Sequence, residues 1–105
     1  MNAKDEFLEH LSKRKLILKS SIIKLINCYE PTNNVIFILN ENYTFNDYDN
    51  FLSCLNFNYD DGFDSQKLDG CILYDDGTWS DRDEYDGSEW WDYKYCPTIE
   101  SFIKD

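Results

Sequence analysis

The sequence predicts an α+β fold, with two helices packed on one face of a small, mostly antiparallel sheet that ends in a three-stranded meander. Three observations carry this reading. Leu8, Leu11, Leu18, Ile22, Leu25 and Ile26 recur at helical spacings near 3, 4 and 7. Residues 34–39, Asn-Val-Ile-Phe-Ile-Leu, form a short β-branched apolar run. After residue 56, Asp-Gly pairs recur at 61–62, 69–70, 76–77 and 86–87, and short aromatic-rich segments lie between them.

The apolar stripe predicts a first helix over residues 4–28. Asp5, Glu6 and Glu9 lie in its first turns, where the helix dipole favours acids. Lys13, Arg14, Lys15, Lys19 and Lys24 fall between the apolar positions, and Pro31 sets a limit to the helix. The run at 34–39 predicts a strand buried on both faces. Thr44 followed three residues later by Asp47 is a variant capping box. It predicts a second helix over about 45–55 that buries Tyr48, Phe51, Leu52 and Leu55. Residues 70–74, 78–83 and 89–95 then read as the strands of the meander. Asp75-Asp76-Gly77 and Asp86-Gly87-Ser88 are its hairpin turns, since glycine adopts positive φ and aspartate bonds the neighbouring backbone. The tail from Pro97 to Ile103 predicts one last helical turn. At 105 residues, with 42% hydrophobic and 17% aromatic content, the chain suits one folded domain spanning 1–105.

The charge is polarised. The net charge is −11, from 21 acids and 10 Lys/Arg. Residues 1–55 hold 7 acids and 6 Lys/Arg, whereas residues 56–105 hold 14 acids and 4 Lys/Arg. Direct binding to nucleic acid or to an anionic membrane is therefore not expected, because phosphate binding needs Lys and Arg. A basic protein surface is the natural complement, and many basic surfaces exist to bind nucleic acid. No apolar run approaches the roughly 18–20 residues of a membrane span. The opening Met-Asn-Ala-Lys-Asp-Glu has no apolar stretch or small-residue cleavage site. A cytoplasmic location is the expectation. Cys28, Cys54, Cys71 and Cys96 form no C-x-x-C pair, and in a reducing compartment they read as buried free thiols.

From Asp75 to Asp92 eight acids occur: Asp75, Asp76, Asp81, Asp83, Glu84, Asp86, Glu89 and Asp92, opposed only by Arg82. Side chains two apart on a strand share a face, so Asp81 and Asp83 form a row with a spacing of roughly 6.6–6.8 Å. Duplex DNA carries one charge per roughly 1.7 Å of axis, and an acidic hairpin is a sparser version of that display. These acids, with Trp90, are the candidate partner-binding residues. The competing reading is a solvated face that discourages edge pairing. Trp90 and Trp91 are adjacent, so on a strand they face opposite sides. An exposed Trp among acids would be a binding hot spot, with shielding of both as the alternative.

Catalytic and metal readings are weaker. Asp81-x-Asp83 before Asp86-Gly87 is similar to a calcium loop, but Tyr85 and Asp86 stand where that pattern needs a ligand and a glycine. Asp92-Tyr93-Lys94 has the D-x-K spacing of one nuclease class, with Asp75 or Asp76 as a second magnesium ligand. The surrounding acidity would repel DNA. His10, the single histidine, reads as a surface residue rather than a general base. Neither enzymatic activity nor a cofactor is expected.

The stretch Leu68-Asp-Gly-Cys-Ile-Leu-Tyr-Asp-Asp-Gly-Thr-Trp, followed by Glu84-Tyr-Asp-Gly-Ser-Glu-Trp-Trp-Asp-Tyr and Cys96-Pro, resembles a segment of small uncharacterised bacterial and phage proteins. In size and charge the chain is similar to phage-encoded DNA-mimic inhibitors, among them anti-CRISPR proteins and inhibitors of restriction or uracil-repair enzymes. That resemblance implies an inhibitor that occupies the basic nucleic-acid channel of a host defence or repair enzyme. The alternative is a regulatory or immunity-type adaptor that binds a protein through aromatics or a helical face. A basic helix and an acidic sheet in one chain also offer a route to self-association, head to tail or as a homodimer.

Overall fold

The computed structural model describes residues 1–26, 34–59, 66–86 and 88–96. The elements run α1 (Ala3–Ser12), β1 (Leu18–Leu25), β2 (Val35–Leu39), α2 (Phe45–Cys54), β3 (Leu68–Tyr74), β4 (Trp79–Tyr85) and β5 (Ser88–Lys94). All five strands form one sheet in the order β2-β1-β3-β4-β5, and every neighbouring pair is antiparallel. The predicted α+β fold is therefore present, with β3-β4-β5 as the meander. No helix among the described residues is long and apolar enough to cross a membrane.

The first helix is shorter than the periodicity predicts. Asn2 caps it by accepting a hydrogen bond from the Asp5 amide at 3.0 Å. It buries Ala3, Phe7 and His10 and ends at Ser12, before the basic triplet Lys13-Arg14-Lys15. The second half of the expected helix is β1. Its residues Leu18, Ile22 and Leu25 fit a helical stripe by coincidence. The adjacent β-branched pair Ile22-Ile23 favours extended backbone, and β1 pairs with a strand on each side. Ser21 and Ile23 point into the protein and Ile22 points out. The register against β3 slips between Leu18 and Ser20, a bulge at Lys19.

β2 departs from expectation in another way. It is an edge strand with one open face, not a strand buried on both. Leu39 is buried and Phe37 half-buried against the core, while Val35, Ile36 and Ile38 are exposed. α2 matches its prediction. Thr44 Oγ1 accepts from the Asp47 amide at 3.1 Å, and Asp47 Oδ2 accepts from the Thr44 amide at 3.0 Å, a complete capping box. Phe51, Leu52 and Leu55 are buried, and Tyr48 is half-buried. Phe7 of α1 meets Phe51 of α2 edge to face, with ring centroids 5.6 Å apart. Both helices thus cover the face formed by Ile23, Leu39, Leu68, Ile72, Tyr74 and Trp91.

Three of the four Asp-Gly pairs can be followed, the one at 86–87 through Asp86 alone. At the β3–β4 turn Gly77 has φ 88°, and Asp76 accepts from the Thr78 amide at 2.9 Å. Tyr85 pairs with Ser88 across the second hairpin, with Asp86 at φ 51°. The pair at 69–70 is not a turn but lies inside β3. There Gly70 has φ 139°, and a Cβ would fall 2.0 Å from the Ile22 carbonyl oxygen. Glycine is needed because β1 approaches too closely for a side chain. Gly70→Ala is expected to cost at least ~3 kcal/mol, from backbone strain plus overpacking. An unchanged thermal midpoint would contradict this. The pair at 61–62, the limit at Pro31, Gly87 and the tail turn at 97–103 lie outside the described residues.

His10 is buried rather than on the surface. Its Nε2 lies 2.8 Å from Ser80 Oγ, and its ring stacks on Tyr93 at 4.0 Å. The helix places it on the sheet-facing side, spaced three and seven residues from Phe7 and Ala3. Burial, reinforced by the nearby Lys13 charge, pushes its pKa down to about 4. The unfolded ring, at about 6.5, takes up a proton first as the pH falls. The neutral ring's contribution is therefore complete above the unfolded value and is lost as the pH falls towards 4. About 3 kcal/mol of stability should disappear over that window. Urea denaturation at pH 7 and pH 4.5 should show a smaller loss for His10→Gln than for the wild type. Equal losses would refute the assignment.

Candidate protein-binding face

Among the described residues the sheet has one face covered by helices and one left open, and strand parity sorts every candidate residue between them. On β4, Ser80 and Arg82 point inward, so Trp79, Asp81 and Asp83 point outward. On β5, Glu89 and Trp91 point inward, so Trp90, Asp92 and Lys94 point outward. The register sets Asp81 opposite Asp92 and Asp83 opposite Trp90. These four residues therefore form one patch, in which Trp90 is 40% exposed and its neighbour Trp91 only 7%. Trp79 donates from Nε1 to Asp81 Oδ2 at 3.2 Å.

Like charges placed directly opposite repel, and Lys94 offsets part of this. Its Nζ lies 3.1 Å from Asp83 and 3.2 Å from Asp92. The neighbouring Asp83 carboxyl and the Lys94 ammonium that bridges the two hold Asp92 below the usual carboxylate range. The same two carboxyls raise Lys94. The D-x-K pair of the nuclease reading is thus an ammonium held between two carboxylates, with Asp75 and Asp76 in the β3–β4 turn. Among the described residues no group of three or more His, Cys, Asp or Glu is placed to hold a metal ion.

The remaining acids frame the patch. Asp75 and Asp76 are exposed in the β3–β4 turn, and hydrogen bonds from the Thr78 hydroxyl and amide lower Asp76. Asp86 is exposed in the opposite turn. Glu84 is exposed near that tip but has the parity of the covered face.

Glu89 leaves the exposed set altogether, since it is 5% exposed and inward-facing. Its Oε1 accepts from Arg82 Nε at 3.1 Å and Nη2 at 2.8 Å, and from the Leu68 amide at 3.0 Å. Its Oε2 accepts from the Lys67 amide at 2.6 Å. Arg82 also reaches Glu6 of α1, with Nη1 3.0 Å from Oε1, and donates to the Tyr59 hydroxyl. Tyr59 in turn donates to Glu6. Burial and that bond raise the Tyr59 pKa. Burial by itself would weaken the Arg82 charge, but Glu6 and Glu89 outweigh it and keep the guanidinium protonated. The one base among the acids is therefore an internal counter-ion. The network ties β5 to the start of β3 and to α1, and with Trp91 it locks the parity that turns Trp90 and Asp92 outward.

The other half of the open face is apolar. Ile38 pairs with Ile22, Ile22 with Cys71 and Ser20 with Leu73, so these side chains share that face with Ile36. Ile22, Ile36, Ile38 and Leu73 are all exposed. This patch was hidden in the sequence because a continuous apolar run reads as buried. The cysteines also differ from expectation. Cys54 and Cys96 are exposed and Cys71 is half-buried, because Cys71 has open-face parity, Cys54 ends α2 and Cys96 follows β5. Cys28 lies outside the described residues.

Comparison of the chain with protein-family models, curated proteins and solved structures found no match.

Proposed function

We propose that this protein is a non-catalytic acidic binding protein that docks on a basic surface through the open faces of β4 and β5. The partner class is a nucleic-acid-binding enzyme of host defence or repair, whose basic channel the acidic hairpin occupies as a DNA mimic of the anti-CRISPR type. One observation carries this reading. Asp81, Asp83 and Asp92 surround the exposed Trp90 on a sheet face that no helix among the described residues covers, between two turns that present Asp75, Asp76 and Asp86. Desolvating a tryptophan inside a rim of charge is the usual anatomy of an interface hot spot. The surrounding field would speed encounter with a cationic surface.

The exposed patch of Ile22, Ile36, Ile38 and Leu73 favours a second reading, an adaptor that binds through apolar contact. Salt separates the two, because exposed charge contacts are screened and apolar contacts are not. Tagged protein should be used for capture from nuclease-treated bacterial lysate, with elution in salt steps. The mimic reading expects a basic nucleic-acid enzyme released at moderate salt. Retention of a partner through high salt would move the function to the apolar half of the face.

A further inference from the structure

The two edges of the sheet are built differently. β5 carries Asp92 and Lys94 along its length and Asp86 at its hairpin end, the charges with which edge strands resist pairing. β2 has no such guard. Between Val35 and Leu39 there is no charge, proline or glycine. Val35, Ile36 and Ile38 are exposed, and among the described residues no strand pairs with the outer side. A groove of about 420 Å³ runs between the strand and α2, lined by Ile36, Ile38, Asp47, Asn50 and Cys54 among others. A strand edge of this kind presents a row of backbone donors and acceptors with apolar side chains above it.

We propose that β2 pairs antiparallel with β2 of a second copy across a two-fold axis, which joins two sheets into one of ten strands. A strand edge is self-complementary under such an axis, because the same backbone groups meet from both copies. Charge segregation favours a second copy despite the net charge of −11. The acidic strands β4 and β5 lie at the far side of each sheet. The nearest pair of β4 strands would be seven strand intervals apart, about 34 Å at roughly 4.8 Å each. That exceeds a screening length of about 8 Å several times over. Lys24 lies opposite Ile36 at one end of β2, and Glu41, already 3.6 Å from Lys19, lies beyond the other. Antiparallel pairing brings the Lys24 end of each copy to the Glu41 end of the other. It also merges the two exposed Ile36 and Ile38 patches at the centre of the joined sheet and leaves the Trp90 patches free at both ends.

Sedimentation velocity on the full chain tests this, with far-UV circular dichroism as the check on folding. The wild type is expected at twice the 12.6 kDa chain mass, with little change at high salt. The double variant Ile36→Lys/Ile38→Lys sets like charges across the axis in both copies, and should raise the dimer dissociation constant about a hundredfold. Leu73→Lys, on the open face but two strands from the edge, should leave the dimer intact. Amide exchange at residues 35–39 should slow as concentration rises. A wild type that is monomeric throughout would overturn the proposal, as would a dimer that survives the double variant. Equal disruption by Leu73→Lys would point to face-to-face packing, and dissociation by salt to a basic-helix contact; either result also overturns it.

Discussion

Replacing Arg82 with alanine is expected to cost about 3–5 kcal/mol of folding stability. The guanidinium is fully buried and faces Glu89 and Glu6, whose side chains are 1% and 13% exposed. Its removal leaves two carboxylates close together without a counter-ion, and the loss is a large fraction of the 5–15 kcal/mol that stabilises most small domains. The Glu89 bonds to the Lys67 and Leu68 amides would remain but would hold an uncompensated charge. Combining Arg82→Met with Glu89→Gln and Glu6→Gln should recover much of the loss, because the repulsion disappears with the charges. Urea denaturation of the variants measures both effects. A cost below about 1 kcal/mol for Arg82→Ala would mean that the network is not the internal clamp of β3, β5 and α1.

Neutralising the open-face acids should act on binding and spare the fold. Asp81→Asn, Asp83→Asn and Asp92→Asn together are expected to lower affinity for the basic partner about a hundredfold at low salt, at roughly 1 kcal/mol for each close charge. The salt dependence of the remaining affinity should flatten, since fewer screened contacts are left. Trp90→Ala should lower affinity by a further ten- to thirtyfold with almost no change in salt dependence, as loss of a desolvated aromatic anchor predicts. Stability should hold or rise, because Asp81 and Asp92 face each other across the ladder. Titration calorimetry at several salt concentrations separates the two contributions. Unchanged affinity in the triple variant would remove the acidic face from the interface.

Much of this arrangement was legible before the fold. The capping box at Thr44 and Asp47 marks α2 because two short side chains satisfy both orphan amides locally. Asp76-Gly77 and Asp86 mark the hairpins for the same local reason. What the sequence hid depends on distant partners. Leu18, Ile22 and Leu25 satisfy a helical stripe and a strand alike, and only pairing with β2 and β3 decides between them. Gly70 follows an aspartate as a turn glycine does, yet its reason is the Ile22 carbonyl on another strand. Nothing local says that β2 lies at an edge, so its apolar run reads as buried.

The candidate site divides in the same way. Alternation predicts that Asp81 and Asp83 share a face and that Trp90 and Trp91 do not, and both hold. Glu89 could not be separated from the surface acids without knowing that Arg82 points inward beside it. Arg82 has the parity of Ser80, the most buried residue of β4, and a lone base at an inward position was the available signal. His10 reads as a surface residue in the sequence because its burial depends on Ser80 and Tyr93, which are seventy or more residues away.

If the acidic hairpin occupies a surface meant for nucleic acid, the two exclude each other from the partner. Equilibrium competition tests this most directly, with labelled duplex DNA or RNA bound to the captured partner and unlabelled protein titrated in. Complete displacement by the wild type is expected, and displacement about a hundredfold weaker by the Asp81, Asp83 and Asp92 triple variant. A ternary complex, in which nucleic acid stays bound while the protein saturates its partner, would contradict it.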